Sequence, residues 1–75
     1  AGILNYFRLG ANFSIQEMAV PESWIGCSLR ELALPDRHRI SVIGVHSMLT
    51  DQTIPVPNPD APLTESDTLL VAGDD

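Results

Sequence analysis

The sequence predicts a small α+β domain: a mixed or antiparallel sheet of about four strands, one short helix packed on it, and an N-terminal helical segment. Three observations lead to this fold class. Residues 40–45, Ile-Ser-Val-Ile-Gly-Val, are uncharged and rich in β-branched side chains, which is typical of a mostly buried strand. A short helical pattern comes before this run. A second apolar run, residues 68–72, comes after it and is available to pair with it.

Length and cysteine content limit how this chain is stabilised. Its 75 residues make one domain at most, and a core of this size supplies only about 3–5 kcal/mol without a disulfide, a metal or self-association. Cys27 is the single cysteine, so no disulfide forms within the chain, and an unpaired cysteine is typical of a reducing, cytosolic compartment. Oligomerisation is therefore the expected source of extra stability.

The charge balance argues against two kinds of partner. The net charge is −6, with ten acidic residues against four arginines and no lysine. Four cations cannot neutralise a run of phosphates, so nucleic-acid binding is not expected, and an anionic membrane surface would repel the chain. No apolar run reaches the length of a membrane span, so no direct membrane insertion is expected. The chain begins at Ala1 without a signal peptide, and we expect it to be a segment of a longer protein.

The N-terminal residues predict the end of a linker helix over residues 1–10. Ile3, Tyr6 and Phe7 fall at helical spacing, and Gly10 is a natural residue to end a helix. The domain itself would then occupy residues 11–75. Its first strand is predicted at residues 13–20 and carries apolar side chains on both faces, so that both faces are expected to meet protein.

A capping box predicts where the short helix begins. Ser28 and Glu31 stand three residues apart, so each can satisfy a backbone amide of the other. Leu29 and Leu32 give the helix an apolar stripe. Pro35 is expected to end it, because the residue before a proline is pushed out of helical geometry, which makes the helix about two turns long.

The second half of the chain predicts three strands joined by turns. In the strand at residues 40–45, Gly44 leaves room for a close neighbour. The next strand, residues 53–56, is expected at an edge of the sheet, because Pro55 cannot donate a hydrogen bond to a ladder. A proline-rich loop, residues 57–62, follows this strand. Leu63, which comes next, is expected to be a buried plug, and the last strand is predicted at residues 68–72.

Residues that could carry catalysis or bind a metal show no signature. His38 or His46 with Cys27 could suggest nucleophilic catalysis, but the chain has no Gly-x-Ser-x-Gly sequence and no known motif flanks Cys27. Its acidic residues lack the spacing of a calcium loop, and its histidines and cysteine lack the spacing of a zinc site. We therefore expect no enzyme, no catalytic residue and no metal.

Three of the four basic residues are clustered in sequence. Arg30, Arg37 and Arg39 lie within ten positions, next to the strand at residues 40–45. One interpretation is that they balance Glu31 and Asp36. The other is an anion-binding pocket, because the planar guanidinium suits the geometry of phosphate.

The order and spacing of several motifs resemble the TrkA-C domain, also called the RCK C-terminal domain, of cytosolic regulators of potassium channels and cation transporters. Residues 20–26, Val-Pro-Glu-Ser-Trp-Ile-Gly, resemble a turn of this family almost letter for letter, and residues 40–45 resemble one of its strands. Further similarities cover nearly the whole chain: residues 4–7, 13–15, Leu29, Leu32, Ile54, 57–59, Leu63, 67–69 and 71–73.

The resemblance implies a regulatory, ligand-sensing domain that pairs as a homodimer. It would lie in the cytoplasm as part of a membrane-associated transport protein, downstream of a nucleotide-binding domain or of the membrane part of a cation channel or transporter. Some members bind cyclic di-adenosine monophosphate between two copies, through an arginine at the end of the short helix and an asparagine in the next strand. Here those positions hold Pro35 and Ser41. Ligand contacts, to this or another nucleotide, are expected from Arg37, Arg39, Ile40, Ser41 and Val42.

Two other interpretations stay open. The first is a purely structural dimerisation module of a transporter that binds no small molecule. The second is a small hydrolase that uses His46. Ligand binding, or its absence, separates the regulatory domain from the structural module.

Overall fold

In a computed structural model that describes residues 3–74, the chain forms an α+β fold with a five-stranded antiparallel sheet. A 3-10 turn at Glu22–Trp24 and two short helices connect the second and third strands. The elements are β1 (Ile3–Leu9), β2 (Phe13–Ala19), α1 (Leu29–Leu32), α2 (Leu34–His38), β3 (Ile40–Ser47), β4 (Gln52–Pro55) and β5 (Asp67–Asp74).

The last strand in chain order lies at the centre of the sheet. The strand order is β1-β2-β5-β3-β4, so β5 pairs with β2 on one side and with β3 on the other. The prediction of a strand at residues 40–45 is confirmed, but the prediction that it is mostly buried is wrong. Within β3 only Gly44 is buried, whereas β5 buries Thr68, Leu69 and Val71. A strand with a neighbour along both edges is screened from solvent more completely than one near the rim.

The predicted N-terminal helix is wrong, and the sheet has five strands instead of about four. Ile3–Leu9 forms β1, which pairs antiparallel with β2 and places Phe7 opposite Ile15. Gly10, expected to end a helix, instead lies in the turn between the two strands with φ +75°. The apolar residues of this segment stand on both faces of an edge strand, so their spacing does not alternate and imitates a helical pattern.

One face of the sheet carries the core. Leu63, Leu69 and Val71 form its buried cluster, which confirms Leu63 as a buried plug. Because opposite residues of paired strands point to the same face, Met18 and Val45 lie on this face beside Leu69. The side chains packed on the cluster come from β2, the segment that follows it, the 3-10 turn, α1 and β3: Met18, Val20, Trp24, Leu29, Leu32, Ile40, Val42 and Val45.

The opposite face of the sheet carries exposed apolar residues and a polar network. Phe7 and Phe13 lie on this face and are exposed. At its middle, the hydroxyl of Thr68 donates to Oε2 of Glu17 at 2.7 Å, and Nδ2 of Asn5 donates to Oε1 of Glu17 at 2.6 Å. The sequence predicted apolar side chains on both faces of β2. One face packs on the core, and the other is open to contact with another molecule.

The capping box is confirmed, but the helix that it starts is shorter than predicted. Oγ of Ser28 accepts a hydrogen bond from the backbone N of Glu31 at 3.2 Å, and Oε1 of Glu31 accepts one from the backbone N of Ser28 at 2.9 Å. The helix α1 ends after one turn at Ala33, which has φ +48°, and α2 then begins at Leu34. Pro35 therefore lies in the first turn of a second helix, where its missing N–H costs nothing.

The edge position of Pro55 is confirmed. The strand β4 is the outermost strand beside β3, and Pro55 is its last residue, opposite Gly44. This strand covers Gln52–Pro55, slightly earlier than the predicted 53–56, and pairs only with residues 44–47 of β3. Within residues 3–74, the first half of β3 therefore has a strand neighbour on one side only, the side of β5. Across residues 3–74, no helix has the length and apolar character needed to cross a membrane.

Candidate functional site

A cavity opens beside the first half of β3, where β4 no longer covers the edge of the sheet. Its volume is about 440 Å³. One side is formed by the two short helices and the other by the proline-rich loop after β4. The residues that line it are Leu29, Arg30, Leu34, Pro35, Ser41, Val42, Val56, Pro57 and Pro59.

Short-range backbone geometry brings the two helices to the cavity. The left-handed conformation of Ala33 turns the chain sharply between α1 and α2, so both helices can face the same strand. Leu34 follows this turn and is buried, whereas Pro35 stays at the cavity surface. Ser41 and Val42 are neighbours on β3 with side chains on opposite faces, yet both border the cavity because it lies at the edge of the strand.

The proline-rich loop is tied to α1 by backbone and side-chain bonds. The backbone N of Arg30 donates to the carbonyl O of Pro59 at 2.9 Å. The Arg30 side chain binds the Asp60 carboxylate through two contacts, Nε to Oδ1 at 2.6 Å and Nη2 to Oδ2 at 3.3 Å. The backbone N of Asp60 donates to Oδ1 of Asn58, which fixes the turn of the loop. The proline-rich loop, about thirty residues further along the chain, is thus held in place as one side of the cavity.

The pair of Arg30 and Asp60 sets the charge at the cavity rim. The hydrogen bond from Arg30 lowers the pKa of Asp60, and the same bond raises the pKa of Arg30. Both groups therefore stay ionised at neutral pH. Both side chains are about two-thirds exposed, so water screens the pair and its contribution to stability is small.

Comparison with protein families places this cavity in a known domain. The TrkA-C domain model matches residues 15–75. The chain belongs to the TrkA-C domain family. TrkA-C domains are regulatory domains associated with potassium transporters. A search of curated proteins found no match to the chain. All the residues that line the cavity fall within the matched range, whereas β1 precedes it.

The predicted ligand contacts of this TrkA-C domain are only partly gathered at the cavity. Ser41 and Val42 line it, while Ile40, their neighbour, packs against the core cluster. Arg37 lies in α2, and Arg39 follows it with φ +57°. Neither arginine is among the residues that line the cavity.

Several lining residues of the TrkA-C domain were missed from sequence. Among the arginines it is Arg30 that borders the cavity, and the loop residues Val56, Pro57 and Pro59 complete it. The sequence signal for the loop was its proline content. That content predicts an extended segment but not its return to α1, which depends on the long-range bond from Arg30 to Pro59.

The structure describes a contact for each residue that was considered for catalysis in the TrkA-C fold. The ring of His38 lies against Trp24, with centroids 5.9 Å apart. His46 lies on the open sheet face, where Nδ1 is 2.8 Å from Oγ1 of Thr53 and Nε2 is 3.2 Å from Oδ1 of Asp51. Sγ of Cys27 is 3.9 Å from the carbonyl O of Ser23. Among residues 3–74, no group of His, Cys, Asp and Glu could hold a metal ion.

A second cavity, of about 310 Å³, lies at the other end of the TrkA-C sheet. It is formed mainly by β1 and β2 and is bordered by the carboxylate of Glu17, which is already bonded to Thr68 and Asn5. Its lining residues are Asn5, Tyr6, Phe7, Ile15, Gln16, Glu17 and Leu70. Three of these residues, Asn5, Tyr6 and Phe7, precede the matched range, whereas the larger cavity lies wholly within it. The larger cavity is therefore the candidate site.

Proposed function

We propose that this TrkA-C domain is a ligand-sensing dimerisation domain that regulates a potassium channel or another cation transporter. One observation carries the proposal. Pro35 and Ser41, the positions at which ligand-binding members of the family place their arginine and asparagine, line the same cavity of about 440 Å³. A concave, mostly apolar cavity with a few polar groups is the usual form of a small-molecule site.

The proposed mechanism is a change in the arrangement of two copies of the domain. A ligand can shift that arrangement only if it binds one form of the dimer more tightly than the other. The shift would pass to the membrane part of the transport protein, or to an upstream nucleotide-binding domain, from a position in the cytoplasm. In this proposal the domain binds and transmits, and it catalyses no reaction.

The distribution of apolar surface supports pairing. Within the described chain, the buried hydrophobic residues are Leu34, Leu63, Leu69 and Val71, which is a small core. Large apolar side chains remain exposed: Val56, which lines the cavity, is 89% exposed, and Ile54 on β4 is 55% exposed. A second copy that covers this surface would add the stability that a core of this size does not supply alone.

Sedimentation of the chain tests the pairing. We expect a dimer at about tens of micromolar, a range in which weak self-association is visible. A single monomeric species at that concentration would contradict the proposal.

A thermal-shift screen tests the sensing. The first ligands to screen are cyclic di-adenosine monophosphate and other cyclic dinucleotides, then adenine nucleotides and divalent ions. A compound that binds only the folded state raises the Tm by mass action.

A second candidate function is a structural dimerisation module without a ligand. It is favoured by the replacement of both polar family positions, since Pro35 carries no charge and Ser41 makes fewer hydrogen bonds than asparagine. A dimer whose Tm responds to no compound would favour this candidate over ligand sensing.

A further inference from the structure

We propose that the cavity beside β3 takes an uncharged, flat and largely apolar ligand, and that Asp60 keeps anions out of it by neutralising Arg30. This inference rests on the proposed function, because it names the class of ligand that the sensing site accepts. It points away from the cyclic dinucleotide that the family resemblance implies.

The lining of the cavity is mostly apolar. Seven of the nine residues that line it are leucine, valine or proline, and the two polar ones are Ser41 and Arg30. Burial of an apolar ligand against such side chains is favourable by about 25 cal/mol per Å² of apolar surface removed from water. Ser41 offers one uncharged hydroxyl, which can orient a ligand without requiring charge.

The one charged lining residue, Arg30, already holds an anion. Its Nε and Nη2 both contact the carboxylate of Asp60, at 2.6 and 3.3 Å. A phosphate or carboxylate that approached Arg30 would also approach Asp60, and the two negative charges would repel each other. Arg37 and Arg39 do not line the cavity, and the chain as a whole carries a net charge of −6. The local field therefore gives an anion little net attraction.

The edge of β3 adds a reason for a flat ligand with uncharged polar atoms. The pairing of β3 with β4 begins only at Gly44, so the preceding residues have no strand on that side within the described structure. Backbone N–H and C=O groups along such an edge can bond to a planar molecule that carries a donor and an acceptor. Ser41 and Val42 lie on this stretch and line the cavity.

A matched pair of probes tests the class of ligand. Indole is neutral, flat and apolar with one N–H donor, whereas indole-3-acetate adds a single negative charge to the same ring. In an amide NMR titration of the 75-residue chain, we expect indole to shift the signals of Leu34, Ser41 and Val42. We expect indole-3-acetate to bind at least tenfold more weakly. The proposal is overturned if indole-3-acetate binds as tightly as indole or more tightly. It is also overturned if indole shifts none of these signals.

An isosteric substitution tests the role of Asp60. Asp60→Asn removes the negative charge and leaves Arg30 without its counter-ion, so binding of indole-3-acetate should strengthen at least tenfold while binding of indole stays within twofold. Because the pair is exposed, the variant should fold, and its thermal unfolding checks this. Adding Arg30→Gln to Asp60→Asn should remove the gain. An unchanged ratio of the two affinities in Asp60→Asn overturns the proposal.

Asp36→Asn is the matched control, because it removes the same charge from α2 at a residue that does not line the cavity. It should leave both affinities unchanged, and a gain for indole-3-acetate equal to that of Asp60→Asn would assign the effect to net charge and overturn the proposal. The screen under Proposed function gives a separate readout. If a cyclic dinucleotide raises the Tm and shifts the cavity signals, ligand sensing stands and the neutral-ligand inference fails. If no compound binds, both fail together and the structural module remains.

Discussion

Gly73 shows how closely β3 and β5 approach each other. A Cβ atom at Gly73 would lie 2.7 Å from the carbonyl O of Arg39 and 2.9 Å from Cγ2 of Ile40, and a backbone carbonyl within a sheet cannot move aside easily. Gly73→Ala should therefore lower the free energy of unfolding by about 1–3 kcal/mol, as overpacking does elsewhere. Urea unfolding of the variant and the parent measures this loss of stability.

The matched comparison is Gly44→Ala in β3. There the nearest atom, Cδ1 of Leu70 at 3.1 Å, is the end of a side chain that can rotate away. Its loss of stability should be smaller than that of Gly73→Ala. If the two variants unfold at the same urea concentration, a Cβ atom at Gly73 has more room beside the Arg39 carbonyl than the 2.7 Å distance allows.

The capping box gives a second prediction at a single residue. Ser28→Ala removes the hydroxyl that accepts from the backbone N of Glu31, so the free energy of unfolding should fall by about 1 kcal/mol. Ser23→Ala, an exposed serine in the 3-10 turn, is the control and should change stability little. A denaturant midpoint of Ser28→Ala equal to that of the parent would show that the cap contributes nothing.

Glu17 links stability to pH. Hydrogen bonds from Thr68, and then from Asn5, lower the pKa of Glu17, so the folded state takes up its proton less readily than the unfolded state. Stability is therefore fully present above the usual glutamate pKa of 4.5 and is lost as the pH falls through the lowered folded value. The pKa values of Glu31 and Asp60 are lowered too and contribute in the same direction.

Glu17→Gln should reduce the loss of stability below pH 4.5, although Glu31 and Asp60 leave part of it in place. The measurement is the urea midpoint at several pH values from about 7 to about 3, the range in which carboxylates titrate. Glu65→Gln, at an exposed position, is the control. If both variants follow the same pH curve as the parent, the Glu17 network does not depend on ionisation.

Among the elements of the fold, β5 carries the most buried side chains. Leu69 is fully buried in the core cluster, so Leu69→Ala should cost about 2–5 kcal/mol. Leu49→Ala is the same substitution at an 82% exposed site in the turn after β3, and it should change stability by less than about 0.5 kcal/mol. Thermal unfolding compares the two, and similar Tm values would contradict the central position of β5.

The elements differ in how far sequence could predict them. The start of α1 could be predicted because its signal, Ser28 and Glu31, lies within four residues and acts locally. The edge position of Pro55 followed from its missing N–H. The strand β1 could not be predicted from the sequence, because an edge strand with apolar residues on both faces has no alternating pattern. The cavity could not be predicted either, since the bonds from Arg30 to Pro59 and Asp60 join residues 29 and 30 positions apart in the sequence.

Considered as a whole molecule, the fold should tolerate loss of its edge better than loss of its centre. Deleting residues 1–9 removes β1 and leaves the order β2-β5-β3-β4, which contains the whole core cluster. Deleting residues 67–75 removes β5, the strand that joins the two halves. Far-ultraviolet circular dichroism should show a cooperative thermal transition for the first variant and an unfolded chain for the second. A folded second variant would contradict this topology.

The central place of β5 also has a consequence for biosynthesis. The hairpins β1–β2 and β3–β4 are both translated before residues 67–74, yet neither can join the other until β5 lies between them. A nascent chain therefore carries two separate hairpins with unpaired edges until the ribosome has released the last strand, and an isolated two-stranded hairpin is only marginally stable in water. The domain must assemble in one late step, and until then its unpaired edges are open to association with neighbouring chains.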